Sequence, residues 1–351
     1  MAEPRILIQG IGGIGGIMAA RLLGAGFDAV LVTGNRAITE AINGRGVRVR
    51  MGGKEIAERA RAFTSLDELP PIRFDLSLLV MKAHTVVEAA RGTIRFLEDW
   101  GYVVTCQNGV VEDAVAAAVG RERVVSAIVA WGGTMHAPGE YEKTGPGKIH
   151  IGEIDGHASA RIRGLAEVLE HVSPIVMTNN IRGSRWSKLA INCVITTMGA
   201  LSGRTLGEML ESREMRDLAL VIFREVVDTA DALSIKLEWM AAPPRLLYLP
   251  AGSSPLARRW KDLLVRIVGR RYGKLRSSML QSLERGRRTE IDFLNGYVVE
   301  KARQAGVDVP VNEALVRMIK EIESGARRIG IENARELARL ATAARMDPTV
   351  A

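Results

Sequence analysis

The chain has 351 residues, enough for two domains that each bury a core of their own. Its apolar content of 47% and charged content of 25% are ordinary for a soluble globular protein. No stretch reaches the roughly 18 uncharged apolar residues that cross a membrane, so no membrane partner is expected.

The net charge of +8 raises the question of a nucleic-acid partner. Most basic residues are dispersed among acidic ones, and the one dense basic cluster, residues 257–276, is also amphipathic. A solvated helix face explains that cluster better than a nucleic-acid surface, so no nucleic-acid partner is expected. A basic protein also suits anionic small substrates or a phosphorylated cofactor.

Two cysteines, Cys106 and Cys193, lie in apolar segments. Buried thiols in a reducing cytoplasm explain them better than a disulfide framework. A Gly-rich turn follows a single short apolar run near the N-terminus, which is not the pattern of a signal peptide. We therefore expect a cytoplasmic protein.

Short β-branched runs alternate with helix-like stretches in the first half of the chain, which is typical of a parallel, doubly wound sheet. A helix is expected over residues 15–26, directly after the first strand. The predicted strands, of which the last is a candidate antiparallel strand, are RILIQG (5–10), DAVLVTG (28–34), FDLSLLVMK (74–82), YVVTCQNG (102–109), RVVSAIVAWGG (123–133) and GKIHIGE (147–153).

Strand signals stop after about residue 180, and segments with a 3.6-residue period follow, as in residues 213–233 and 290–306. The clearest loop is the Pro-, Gly- and Ser-rich stretch 240–255. The pattern predicts an α/β fold, with an N-terminal Rossmann-type doubly wound domain over residues 1–180 and an all-α domain over residues 181–351.

A G-x-G-x-x-G pattern stands directly after the first strand and directly before the first helix. There the first glycine permits a tight turn, the second lets the backbone approach a pyrophosphate, and the third packs helix against strand. The N–H groups of the helix N-terminus face the anion. The predicted cofactor-binding turn consists of Gly10, Ile11, Gly12, Gly13, Ile14 and Gly15.

The end of the second strand indicates which dinucleotide binds. NAD sites usually place an Asp or Glu there to bond the ribose 2′-hydroxyl. Here the strand ends in Thr33, Gly34, Asn35 and Arg36, with no acid among them. A neutral Asn35 and a cationic Arg36 would accept a 2′-phosphate, so the sequence predicts NADP(H).

Two further polar residues follow strands at the edge of the sheet where ligands of such folds bind. Lys82 follows LSLLVM at the end of the third predicted strand, and Asn108 follows YVVTCQ at the end of the fourth, in a Gln-Asn-Gly turn. Taken alone, Asn108 fits a simple turn residue beside Gly109 equally well, and Lys82 a solvated lysine.

The segment WSKLAINCVITT (186–197) reads as a buried helix with one polar stripe. Lys188, Asn192 and Thr196 are four residues apart and share a face, while the surrounding residues are apolar. An unpartnered buried ammonium costs several kcal/mol, on the order of the penalty for a broken ion pair, so Lys188 should meet a carboxylate, an anion or water in a pocket. The stripe is a candidate catalytic surface, with Lys188 as its proton donor.

A candidate carboxylate lies in the segment 277–296. A short helix there can end at Gly286. Thr289 then has the position of an N-cap, with Asp292 three residues later as in a capping box, and Glu290 falls in the first helical turn. In isolation, an ordinary glutamate at a helix start explains Glu290 better than a catalytic carboxylate does.

Taken together, these blocks resemble the ketopantoate reductase (2-dehydropantoate 2-reductase) family. The resemblance runs in order through GIGGIGG, the Met-Lys after the third predicted strand, QNG, RWSKLAINCVI, SSMLQSLERGRRTEIDFLNGYVV and AGVDVPVNEAL. It implies a Rossmann domain joined to a helical domain, with the active site in the cleft between them. It also implies reduction of a 2-oxo acid with NADPH.

Carried over position by position, the resemblance implies a role for each matching residue. Lys188 corresponds to the general acid that protonates the developing alkoxide. Asn192 corresponds to the asparagine that contacts the substrate hydroxyl, and Ser278 to the serine that holds the substrate carboxylate. Glu290 corresponds to the acid that orients substrate and lysine.

The same comparison extends to the cofactor. Lys82 and Asn108 match residues near the nicotinamide end. Asn108 and Thr196 are also candidates for substrate contact, and Glu290 for cofactor contact. No metal is expected in this site.

The chain departs from the family pattern at three positions. Thr196 stands where a second asparagine is usual, Leu206 replaces a further asparagine, and Ser282 replaces the aspartate of SSMLQD. A site that hydrogen-bonds a hydroxyl loses discrimination when its partners change. The leading hypothesis is ketopantoate reduction in pantothenate and coenzyme A synthesis.

Two alternatives remain open, together with the oligomeric state. One is a paralogue that acts on another oxo or hydroxy acid. The other is a non-catalytic dinucleotide sensor, against which Lys188 and Glu290 argue because a sensor needs no proton donor. A homodimer is plausible for a chain with a large helical domain.

Overall fold

The structure, a computed structural model, describes residues 3–240 and 243–346. The chain divides into two compact units, Met1–Arg182 and Gly183–Ala351. Across the described residues, no helix combines the length and the apolar character needed to cross a bilayer.

Strands and helices alternate along the first unit. Its strands are β1 (Ile6–Gln9), β2 (Ala29–Val32), β3 (Val47–Met51), β4 (Lys54–Glu58), β5 (Arg61–Phe63), β6 (Phe74–Leu79), β7 (Leu97–Thr105), β8 (Val124–Val129), β9 (Gly133–Ala137), β10 (Glu140–Lys143), β11 (Ile149–Glu153) and β12 (Ile175–Met177). Its helices are α1 (Gly13–Gly24), α2 (Arg36–Arg45), α3 (Val86–Thr93), α4 (Glu112–Val119) and α5 (Ala160–Glu170). Short 3-10 helices cover Leu66–Glu68, Ala83–Thr85, Ile94–Phe96 and Arg121–Arg123.

Eight of these strands form the main sheet, in the order β12-β11-β8-β7-β6-β1-β2-β5. Pairing from β5 to β8 is parallel throughout, and β11 runs antiparallel to β8. The central strands are buried along their whole length, as their β-branched and leucine-rich runs predict. The predicted doubly wound sheet and the predicted antiparallel strand are confirmed.

A second sheet of four strands, β4-β3-β10-β9, lies beside α1. The sequence reading did not predict it. Its strands are short and partly exposed: the buried residues of β3 alternate with exposed arginines, and β4 has no fully buried residue. A strand of that kind carries a weak hydropathy signal.

The second unit is helical in its described residues, which confirms the prediction for this half of the chain. Its helices are α6 (Ile181–Ser202), α7 (Leu206–Glu211), α8 (Arg213–Ala232), α9 (Pro244–Leu247), α10 (Pro255–Arg271), α11 (Ser278–Glu284), α12 (Asn295–Ala305), α13 (Pro310–Glu323) and α14 (Ile331–Met346), with a 3-10 turn at Ile291–Phe293. The predicted loop at 240–255 contains the single turn α9, and residues 241 and 242 lie outside the described residues.

Both cysteines are buried and neither forms a disulfide in the described residues, as predicted. Burial raises the pKa of the Cys193 thiol, so this thiol stays protonated at neutral pH. The Cys193 thiol therefore acts as a small apolar side chain in the core of the second unit.

Candidate active site

The turn between β1 and α1 has the geometry of a dinucleotide-binding loop. Gly10 has φ +88°, a conformation that favours glycine, and a Cβ added there would lie 2.3 Å from the backbone nitrogen of Met81. A Cβ on Gly15 would lie 2.1 Å from the carbonyl oxygen of Gly10. Both positions therefore require glycine for the turn itself, with or without a ligand.

Gly12 differs from these two glycines, because a Cβ added there would meet no atom within 4 Å. Gly12 is exposed and is the N-cap of α1, and the first turn of α1 contains no acidic residue. The space beside Gly12 lies at a helix N-terminus, where backbone N–H groups and the helix dipole favour an anion. The loop thus fits the pyrophosphate of a dinucleotide.

Tyr141 on β10 holds this loop in place. Its buried hydroxyl donates a hydrogen bond of 3.1 Å to the carbonyl oxygen of Ile11, and its ring packs on Gly16 of α1. Burial raises the pKa of Tyr141, so the hydroxyl remains a donor over the whole working pH range. Through Tyr141, the small sheet therefore holds the turn between β1 and α1 in position.

The residues after β2 form the neighbouring part of this sheet edge. Asn35 caps α2, its side-chain oxygen accepting a bond of 3.3 Å from the backbone N–H of Ile38. Arg36 is exposed and pairs with Glu40 at 2.9 Å. An exposed pair of this kind contributes at most about 1 kcal/mol, so the guanidinium is free to exchange Glu40 for a phosphate.

Lys82 and Asn108 follow β6 and β7, the next two strands along the sheet from β1. The side-chain amide of Gln107 donates to the carbonyl oxygens of Leu79 at 2.7 Å and Met81 at 3.1 Å. These bonds tie the Gln-Asn-Gly turn to the end of β6. The predicted residues of the first unit therefore lie at the carboxyl ends of four adjacent parallel strands, where such sheets bind ligands.

In the second unit, α6 is buried except along one narrow strip. Between Gly183 and Ser202 every residue is buried except Lys188, Ile191, Asn192 and Ile195. These four follow the spacing i, i+3, i+4, i+7 of a single helix face. We call them the α6 strip. Thr196, which the sequence placed in line with Lys188 and Asn192, borders the strip and is buried.

The segment that carries Glu290 is attached to α6 at both ends. At one end, the Ser277 hydroxyl donates to the carbonyl oxygen of Thr196 at 2.5 Å. At the other, the side-chain amide of Asn295 donates to the carbonyl oxygen of Cys193 at 3.2 Å. Glu290 is 7% exposed and lies between these anchors. The second unit thus brings a carboxylate-bearing segment to the helix that carries Lys188.

The predicted capping box of Thr289 and Asp292 is wrong. The Asp292 carboxylate binds Lys320 at 2.6 Å and Arg288 at 3.2 Å, and does not bond back to the backbone of Thr289. The Thr289 hydroxyl accepts from the N–H of Ile291 at 3.2 Å, and a 3-10 turn follows. Glu290 therefore precedes this turn and does not lie in the first turn of an α-helix.

Ser278 is exposed and is the first residue of α11. The N-cap is its neighbour Ser277, whose side-chain oxygen accepts from the N–H of Leu280 at 3.1 Å. Ser278 is therefore accessible to a ligand. Ser282, in place of the family aspartate, is buried and donates to the carbonyl oxygen of Ser278 at 3.2 Å.

The sequence reading missed three residues that hold candidate site residues in place: Tyr141 in the first unit, and Ser277 and Asn295 in the second. Tyr141 lies in a polar hairpin whose strands were not predicted. Ser277 and Asn295 lie within the SSMLQ and FLNG blocks, beside residues that were singled out, but only their tertiary partners distinguish them.

Comparison with known proteins agrees with this architecture. The family model described as ketopantoate reductase PanE/ApbA matches residues 6–156, and the model of its C-terminal domain matches residues 180–323. The chain is 28% identical over 326 residues to the 2-dehydropantoate 2-reductase of Archaeoglobus fulgidus, covering 93% of this chain and 100% of that protein. It is 27% identical over 340 residues to the 2-dehydropantoate 2-reductase of Mesorhizobium japonicum, covering 91% and 97%.

Two solved structures show the same fold. A PanE/ApbA family ketopantoate reductase from Ralstonia eutropha JMP134 superposes with a TM-score of 0.77 at 24% identity, covering 92% of this chain and 99% of that one. A D-mandelate dehydrogenase bound to NADH and anilino(oxo)acetate superposes with a TM-score of 0.79 at 20% identity, over the same shares of the two chains.

Proposed function

The chain belongs to the ketopantoate reductase (PanE/ApbA) family, and on that premise we propose that it reduces 2-dehydropantoate to pantoate with NADPH. The observation that carries the proposal is the α6 strip. Between Gly183 and Ser202 the helix is otherwise buried, and its partly exposed residues carry an ammonium, a carboxamide and two isoleucine side chains. An ordinary amphipathic helix also carries polar residues on its accessible face, so the proposal rests as well on the buried Glu290 segment, which is bonded to the same helix at both ends.

In the proposed reaction, Lys188 is the general acid. As the ketone carbon is reduced, negative charge grows on its oxygen, and a fixed ammonium stabilises that charge most where the site excludes water. Lys188 then donates its proton to the alkoxide. Asn192, one turn along the same face, hydrogen-bonds the substrate hydroxyl.

Ser278 and Glu290 complete the proposed substrate site. The exposed hydroxyl of Ser278 holds the substrate carboxylate, and Glu290 orients substrate and Lys188 and also contacts the cofactor. Thr196, at the border of the α6 strip, and Asn108, at the sheet edge, are the remaining proposed substrate contacts. The attachment of the Glu290 segment to α6 at both ends supports this assignment.

The proposed cofactor is NADP(H), which supplies the hydride when bound. The glycine turn from Gly10 to Gly15 receives the pyrophosphate. Asn35 and Arg36 accept the 2′-phosphate, because neither residue would repel it. Lys82 and Asn108 contact the nicotinamide end.

The proposal extends to the state of the protein. We expect a cytoplasmic enzyme that needs no nucleic-acid or membrane partner, with a homodimer as the candidate assembly. Sedimentation equilibrium of the purified protein tests the oligomeric state, and a monomer mass at micromolar concentration would remove the dimer from the proposal.

A second candidate is reduction of a different 2-oxo acid, or oxidation of the matching hydroxy acid. The departures at Thr196, Leu206 and Ser282 favour it, because each changes a polar group that the family pattern keeps. Leu206 and Ser282 are buried, so their influence on substrate choice would act through packing.

A panel of 2-oxo acids separates the two candidates. Purified enzyme with NADPH should lose nicotinamide absorbance fastest with 2-dehydropantoate, as measured by kcat/KM. A higher kcat/KM with another 2-oxo acid would select the second candidate. Cofactor binding without turnover on any member of the panel would instead indicate a dinucleotide sensor.

A further inference from the structure

A chain of buried hydrogen bonds leads from α8 to α6 inside the second unit. The Glu225 carboxylate accepts from the backbone N–H groups of Val311 at 3.1 Å and Asn312 at 2.9 Å, and from the Asn312 side-chain amide at 2.7 Å. The Asn312 side-chain oxygen accepts from the Asn295 amide at 2.8 Å. The same Asn295 amide nitrogen donates to the carbonyl oxygen of Cys193 at 3.2 Å.

Burying this polar network in the core costs free energy of desolvation. Burial raises the pKa of Glu225 to about 7, although three N–H donors and Arg224 act in the opposite direction. Asn295 is fully buried, and its side-chain oxygen accepts no hydrogen bond from the described part of the chain. Apolar residues of similar volume are often at least as stabilising as buried polar networks. The arrangement therefore calls for a role other than stability.

The end point of the network suggests that role. Cys193 directly follows Asn192 and lies five residues after Lys188, about 7.5 Å along the helix axis. Its carbonyl oxygen also accepts the hydroxyl of Thr197. Asn295 in turn lies five residues after Glu290. One side chain therefore connects the helix of the proposed proton donor to the segment of the proposed orienting carboxylate.

We propose that Asn295, held by Asn312 and Glu225, is a positioning residue that sets the α6 strip against the Glu290 segment for proton transfer. This inference rests on the proposed function of Lys188. A displacement of about 1 Å in such an arrangement can lower a rate by about 100-fold. Asn295 does not touch the reacting atoms in this account, and it acts through the carbonyl of Cys193.

The chain provides a matched control in Asn333. It is also a buried asparagine, and its side-chain amide donates to a carbonyl oxygen of the same helix, that of Leu201 at 3.1 Å. Leu201 lies 13 residues after Lys188, about 20 Å along the axis. Loss of either amide should lower stability, but only the loss of Asn295 should disturb proton transfer.

The test compares Asn295→Ala, Asn333→Ala and the isosteric Glu225→Gln by kcat, NADPH affinity and the primary deuterium isotope effect. For Asn295→Ala we expect kcat to fall roughly tenfold to 100-fold, with unchanged NADPH affinity and an isotope effect that changes because the chemical step is slowed. Glu225→Gln should show a smaller change in the same direction. Asn333→Ala should keep kcat within about twofold of the parent enzyme.

Equal losses of kcat in Asn295→Ala and Asn333→Ala, or no loss in either, would overturn the inference. If Asn295→Ala does not fold, an unchanged kcat in Glu225→Gln would overturn it as well. If the parent protein reduces no 2-oxo acid, the proposed function fails separately. In that case, amide hydrogen exchange of residues 188–197 tests the positioning role. Faster exchange of these amides in Asn295→Ala but not in Asn333→Ala would support it. Equal exchange rates in the two variants would overturn it.

Discussion

The hydroxyl of Ser277 donates to the carbonyl oxygen of Thr196 at 2.5 Å, and the Ser277 hydroxyl oxygen itself accepts from the N–H of Leu280 at 3.1 Å. One buried atom therefore caps α11 and fastens its start to the helix of the α6 strip. The adjacent Ser278 is exposed. Two neighbouring serines thus take different tasks, one holding the structure and the other available to a ligand.

These two serines give a matched pair of variants. Ser277→Ala should lower the free energy of unfolding by about 1–3 kcal/mol, because it removes an N-cap and leaves a buried carbonyl with one donor fewer. Ser278→Ala should change it by less than about 0.5 kcal/mol and should raise KM for the 2-oxo acid. Urea unfolding and steady-state kinetics measure both quantities. A loss of stability in Ser278→Ala rather than in Ser277→Ala would contradict the roles assigned to the two serines.

The glycine turn makes a similar contrast possible. Gly12→Ala should leave stability almost unchanged, because the added methyl meets no protein atom within 4 Å, but it should weaken NADPH binding about tenfold or more by filling the phosphate space. Gly10→Ala should instead prevent stable folding, because its methyl would clash with the backbone of Met81. Thermal unfolding and fluorescence titration with NADPH separate the effects. Normal NADPH affinity in Gly12→Ala would contradict the proposed phosphate site.

Cofactor preference should depend on the residues after β2. Asn35→Asp should keep the cap of α2, because aspartate caps as well as asparagine, but its carboxylate should repel a 2′-phosphate. We expect the ratio of kcat/KM for NADPH to that for NADH to fall by roughly tenfold or more, a change of about 1.4 kcal/mol. Arg36→Ala should shift the ratio in the same direction. A parent enzyme that prefers NADH would contradict the prediction of NADP(H).

Stability should depend on pH through Glu225. Burial raises its pKa from the ordinary 4.5 to about 7, so the folded protein keeps this proton to a higher pH than the unfolded chain does. The free energy of unfolding should therefore fall as the pH rises from about 4.5 to about 7, by at most 2–3 kcal/mol from this group. Glu225→Gln should lack that component of the pH dependence. An identical slope in parent and variant over this range would contradict it.

The fold was predictable where the hydropathy signal was strong. The buried strands around β1 and the helices after residue 180 follow from β-branched runs and from 3.6-residue periodicity. The glycine turn followed from its position between a strand and a helix. The polar residues of α6 were recognisable because they lie in line on a helix that is otherwise apolar.

The remaining parts depend on tertiary contacts that local sequence does not encode. The small sheet joins residues about 90 positions apart, with β3 beside β10, and its strands are too polar to stand out. Asp292 had the spacing of a capping residue, but the ion pair with Lys320, 28 residues away, holds it elsewhere. Asn295 and Ser277 matter because their side chains bond to backbone carbonyls of α6. Nothing in the local sequence indicates these long-range hydrogen bonds.

Turnover of Lys188→Ala, compared with Ile191→Ala on the same α6 strip, tests the central claim most directly. The loss of the proton donor should lower kcat for the 2-oxo acid about 100-fold or more while NADPH affinity stays unchanged. Ile191→Ala, which removes only apolar surface from the same face, should keep most of the parent turnover. Near-normal turnover of Lys188→Ala would contradict the assignment of Lys188 as general acid.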